Sequence, residues 1–222
     1  MRILLASLLA LATPAIAQVD GKELADRIAD AQSVIWPEQT FAIRLDGCQL
    51  YVRDAASNDR DDVRDATWFL PDFETDPDQL IILGQPMSDG TITWVDANVM
   101  YPLKVSQRNK YATDIARYEA ALAELDDAAN SGWSWFWRSG PTSAEIYDLS
   151  VQLADERRAG VYGPLLQRNF GIAEGEDMLN GPYYEPYGLI DTDLGFTFRD
   201  DVMDEILTDL HQYRLENCPP PD

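Results

Sequence analysis

The chain has 222 residues, with 39 Asp and Glu against 17 Lys and Arg and a formal charge of −22. That balance excludes general nucleic-acid binding, which rests on Lys and Arg neutralising phosphates, and disfavours docking on anionic lipid. Hydrophobic residues at 45% and aromatics at 10% exclude a disordered acidic tail, and a chain of this size buries about 70% of its unfolded surface in a core.

The first 17 residues have the layout of a secretory signal peptide. Arg2 supplies the positive charge, residues 3–11 are apolar apart from Ser7, and Ala15-Ile16-Ala17 offers small residues before a cleavage point. Pro14 and Asp20 cut the apolar run well short of the ~20 residues a membrane anchor needs. Cleavage near Ala17 predicts a periplasmic or secreted chain, soluble and with no membrane span. In an oxidising compartment the only two cysteines, Cys48 and Cys218, are expected to join. His211, the only histidine, and the two cysteines have no zinc-like spacing.

The remaining residues, 18–222, read as one α+β domain, strand-rich over 38–105 and helix-rich over 106–218. Asp20 and Glu23 open an N-terminal helix on which Leu24, Ile28, Ala31 and Ile35 recur at helical spacing, and Pro37 stops it. A β-hairpin follows, built on Asp46-Gly47, a pair favoured by a type I′ turn. With those two residues as the loop, Leu45 faces Cys48, Ile43 faces Leu50 and Phe41 faces Val52, all six on one side. Residues 54–65 read as a charged loop. Short strands are expected at 67–70, 79–83, 91–95 and 99–105, with a hairpin loop over 84–90.

The second half is mainly helical. Tyr111, Ile115, Tyr118, Leu122, Leu125 and Ala129 form one stripe. Thr142 and Glu145 form a capping box ahead of Ile146, Leu149 and Leu153, and Gly160 ends that helix. Residues 162–199 read as a loop-rich region, and a last helix from near Asp200 turns Met203, Ile206, Leu210 and Tyr213 inward. The expected fold is therefore α+β: an N-terminal helix, an antiparallel sheet of about five or six short strands, then three main helices packed on one face.

Groups that carry chemistry are few. Any Ser-His or Cys-His arrangement must use His211, which sits beside inward-facing Leu210 on an amphipathic helix and reads as a half-exposed surface residue. Glu23 and Glu145 already serve as helix caps. Asp72, Glu74, Asp76 and Asp78 present oxygens at alternate positions, as a calcium loop does. However, Pro77 stands where an EF-hand has Gly, and Leu83 where it has Glu. A solvated loop is the expected reading, with calcium the weaker alternative and no other cofactor.

Two aromatic segments stand out. Trp133, Trp135 and Trp137 fall within five residues and share one face if extended; Tyr183, Tyr184 and Tyr187 lie in a turn-rich stretch. Flat rings on one face either plug a core or grip a ligand or partner. The function expected is a non-catalytic, monomeric exported module that binds a protein, peptide or carbohydrate through these residues. Two other classes stay open: an envelope hydrolase acting on carbohydrate through two carboxylates, and a structural or assembly component without a ligand. The acidic excess has a bland role as well, keeping an exported chain soluble at some cost in self-repulsion, so that added salt should stabilise it.

Overall fold

A computed structural model describes residues 19–56, 62–84, 96–131, 141–177, 181–187 and 194–219. The expected α+β class and element order hold: helix α1 (Gly21–Ile35) precedes the strands, and the long helices α3 (Ala112–Ser131), α4 (Ser143–Arg158) and α6 (Asp200–Asn217) come later. The strands divide between two antiparallel sheets. Five of them, β1 (Gln39–Asp46), β2 (Gln49–Ala56), β3 (Val63–Phe69), β6 (Phe170–Asp177) and β7 (Gly181–Tyr187), lie in that spatial order. The smaller sheet orders β4 (Ile81–Gly84), β5 (Asp96–Tyr101) and β8 (Leu194–Arg199). Short helices α2 (Val105–Lys110) and α5 (Pro164–Arg168) complete the described elements.

The helix starts follow local chemistry. Asp20 caps α1, its carboxylate accepting from the backbone N–H groups of Lys22 (2.7 Å) and Glu23 (3.1 Å). Thr142 and Glu145 close the expected capping box on α4. Leu24 and Ile28 of α1, Ile115 and Tyr118 of α3, Leu153 of α4, and Ile206, Leu210 and Tyr213 of α6 are buried in one apolar cluster with Leu50, Trp68 and Phe198. Leu149, expected inward, is exposed, and the fourth buried position on α4 is Arg157.

The hairpin forms one step away from the expected register. Asp46 pairs with Gln49, Leu45 with Leu50, Ile43 with Val52 and Phe41 with Asp54, so the loop is Gly47-Cys48. Gly47 has φ +55°, the left-handed conformation that glycine adopts without penalty. Each partner moves by two residues, so the pleat keeps every side chain on its intended side. Cys48 itself moves from the strand into the turn. There it forms the expected disulfide with Cys218, the two Cα atoms 5.3 Å apart.

Two stretches expected as loops carry strands. Within 54–65, β2 runs on to Ala56 and β3 starts at Val63, because opposite charges face each other across the pair: Arg53 with Asp65, and Asp54 with Arg64. In 162–199 the prolines masked the strand pattern. Pro182 and Pro186 both lie on β7, an edge of the larger sheet, where a missing N–H costs no ladder bond. A Cβ at position 175 would collide with the Asp62 carboxylate and the Tyr183 ring, so Gly175 makes room for both. The expected strand at 91–95 lies outside the described residues, as does the leader. No helix among the described residues is long and apolar enough to cross a membrane.

Candidate functional site

Helix α1 runs along both sheets and brings their faces together. Its Gln32 is buried and acts as an extra rung on the edge strand β8: the amide nitrogen donates to the Thr197 carbonyl (2.6 Å) and the amide oxygen accepts from the Thr197 N–H (3.3 Å). One side chain thereby satisfies both backbone groups of an otherwise open edge. Thr197 in turn donates its hydroxyl to the Asn98 side-chain oxygen on β5 (2.6 Å), which leaves the Asn98 amide nitrogen as a donor.

Between this β5–β8 wall and the open end of β1–β3 lies a cleft of about 560 Å³. Strand register builds its second wall. Phe41, Asp54 and Arg64 stand in one row across β1, β2 and β3, with Val52 and Trp68 on the same face. Trp36 and Gln39 form the rim. Pro37 halts α1 just after Trp36, whose N–H still bonds to the Gln32 carbonyl (2.9 Å) while its indole stays 45% exposed. Gly195 lies opposite, in register with Met100 and on the same face as Asn98 and Thr197.

The electrostatics of the cleft are mixed. Burial raises the pKa of Asp54 above the usual carboxylate value; Arg64 opposes the shift and Asp65 adds to it. No hydrogen bond or ion pair joins Asp54 to Arg64, so each keeps bonding capacity free for a third group. Among the described residues Asp54 is the one carboxylate lining the cleft, whereas glycoside hydrolysis needs two.

A second polar cluster is closed. Asp72 is fully buried and takes two guanidinium donors of Arg168, Nε and Nη2 at 2.6 Å each, together with the Asn169 amide (2.7 Å). Asn169 accepts from the Phe69 N–H (2.6 Å). Arg157, also fully buried, donates to the carbonyls of Leu166 (3.0 Å) and Asn169 and to the Tyr118 hydroxyl (2.9 Å). Its guanidinium lies 4.7 Å from the Tyr118 ring centre and 5.1 Å from that of Phe170.

The residues expected to carry a site are described only in part. Trp133, Trp135 and Trp137 lie outside the described residues. Tyr183 and Tyr184 are neighbours on a strand and so face opposite ways. Tyr183 packs beside Gly175, while Tyr184 meets the Tyr147 ring of α4 (5.9 Å between centroids) and accepts from Arg158 (2.9 Å). Tyr187 pairs through its backbone with Gly171. Of the four carboxylates considered for calcium, Asp72 belongs to the closed cluster and Asp76 caps the turn Pro77–Gln79 through the Asp78 N–H; Glu74 and Asp78 complete the set. No group of three or more His, Cys, Asp or Glu side chains among the described residues converges on a metal position. His211 is half-buried, its Nδ1 3.2 Å from the buried Thr75 hydroxyl.

The cleft residues themselves escaped the sequence reading. The available signal was parity: Phe41, Val52, Asp54, Arg64 and Trp68 fall on one face once β2 and β3 are allowed to extend into the charged stretch. Compared with known proteins, the chain matches no family model, no curated protein and no solved structure.

Proposed function

We propose that this chain is an exported, non-catalytic binding module whose ligand sits in the cleft between β1–β3 and β5–β8. One observation carries the reading. A cavity of about 560 Å³, within the usual range for ligand sites, combines the exposed Trp36 with hydrogen-bonding groups that, among the described residues, have no partner across the cleft. Its walls are strands held by the Gln32 rung, so the site is built before any ligand arrives. The leader over 1–17 and the Cys48–Cys218 disulfide support export.

The binding reading is tested by NMR with labelled mature protein and a library of small polar and aromatic fragments. Binders should shift the amides of Gln39, Phe41, Asn98 and Gly195 together; shifts confined to other surfaces would overturn the cleft. Export is tested by expressing the whole chain in a bacterium and weighing the periplasmic product, which should begin at Gln18 with both thiols blocked. The disulfide closes a separation of 170 residues, worth at most about 5 kcal/mol in the chain-entropy view. The Cys48→Ser variant should therefore unfold at markedly lower denaturant, and an unchanged midpoint would contradict the clasp.

A further inference from the structure

We infer that the ligand of this cleft is a short neutral oligosaccharide; the inference rests on the cleft being the binding site. The charge pattern points there first. Among the described residues Arg64 is the one cationic side chain in the lining, and it stands directly across from Asp54 in strand register. The local charges cancel, so neither an anionic nor a cationic ligand finds a net counter-charge. A chain of formal charge −22 also repels anions on approach.

The polar groups narrow the class further. Asp54, Arg64 and Gln39 are planar groups, each presenting two hydrogen-bonding atoms side by side, and Asn98 adds its amide nitrogen as a donor. Neighbouring ring hydroxyls of a sugar, each both donor and acceptor, match such forks. An apolar ligand would strip water from these groups without replacing the bonds. The Trp36 indole on the rim supplies a flat apolar face of the kind that covers the C–H side of a sugar ring.

The test uses the mature protein with three tetrasaccharide probes, cellotetraose, maltotetraose and tetra-N-acetylchitotetraose, followed by indole fluorescence and amide shifts. Tetralysine serves as the cationic comparison, and decanoate as the anionic and apolar one. At least one tetrasaccharide should bind saturably and shift the Gln39, Asn98 and Gly195 amides. Trp36→Ala should weaken it at least about tenfold, as loss of an aromatic anchor does. Gly195→Leu should block it, because a side chain there projects from the face shared with Asn98 and Thr197, where the added Cβ has room, its nearest neighbour being the Val99 carbonyl at 3.6 Å. Melting temperatures report that both variants fold; if Gly195→Leu does not, the Trp36→Ala arm decides alone. Cleft shifts with tetralysine or decanoate but with no tetrasaccharide would overturn the sugar and keep the cleft. Silence of the cleft amides towards all five probes would overturn the sugar, while the fragment library decides the cleft. Tetrasaccharide binding indifferent to Trp36→Ala would place the sugar elsewhere and overturn the inference.

Discussion

The cleft and the Asp72 cluster use the same vocabulary, a carboxylate, arginine, an amide and aromatic rings, and put it to opposite ends. Around Asp72 the bonds close inward: two donors from Arg168, one from Asn169, and Arg157 spread over two carbonyls and a phenol. In the cleft, Asp54 and Arg64 face each other without bonding, and Asn98 keeps its amide nitrogen free of Thr197. A polar cluster with its capacity spent internally organises a core. A cluster that holds capacity in reserve beside an open volume fits the binding role proposed for the cleft. Residue type separates the two regions poorly; the hydrogen-bond ledger separates them well.

Substitutions sharpen the contrast. The largest effect is expected from Asp72→Ala, which strands Arg168 and Asn169 in the interior. Breaking such a pair from one side costs roughly 3 kcal/mol, the lower end of the range because Arg168 keeps some solvent, or a fall in Tm on the order of 6–12 °C by calorimetry. Asn169→Ala comes next, at about 1–3 kcal/mol, since the Phe69 N–H and Asp72 each lose a partner. Neither change should alter ligand affinity in the remaining folded protein. Trp36→Ala reverses the pattern, costing about 0.5 kcal/mol or less in stability while binding falls. Were Asp72→Ala harmless and Trp36→Ala destabilising, the assignment of core and site would have to be exchanged.

The smallest effect is a gain. Burial raises the Asp54 pKa in the folded state, so the folded protein holds that proton more tightly than the unfolded chain does. Ionising Asp54 therefore subtracts stability as pH rises from about 4 through the folded pKa. Asp54→Asn escapes the penalty. It should melt slightly higher than the parent at pH 7, the advantage vanishing below about pH 4, and it should weaken ligand binding. A site that exchanges a little stability for a poised carboxylate behaves in this way; no gain at pH 7 would return Asp54 to the structural class.

Much of the architecture was legible because its causes are local. Asp20, Pro37, Thr142 and Glu145 set helix ends by bonds or breaks within four residues. The alternation in 41–52 put the right side chains on the right face even though the turn formed one position later, at Gly47-Cys48. The disulfide followed from the cysteines being a single pair. β6, β7 and β8 were hidden for two reasons. Pro182 and Pro186 are admissible only on an edge, and edge status depends on a pairing between residues about a hundred positions apart, such as Thr67 with Phe170. The same distance hid the cleft, whose walls meet because Gln32 bonds a strand 165 residues away.

The amino-acid order by itself determined where the long helices begin and stop, which face of the β1–β2 hairpin is apolar, that the two cysteines pair, and that the chain carries a large excess of negative charge. Those outcomes depend on neighbours within a turn or two, or on simple counts. Only the tertiary structure decided which polar side chains would spend their hydrogen bonds on one another and which would be left facing a cavity. That decision belongs to long-range register, and register is set by how two sheets and a helix share one core.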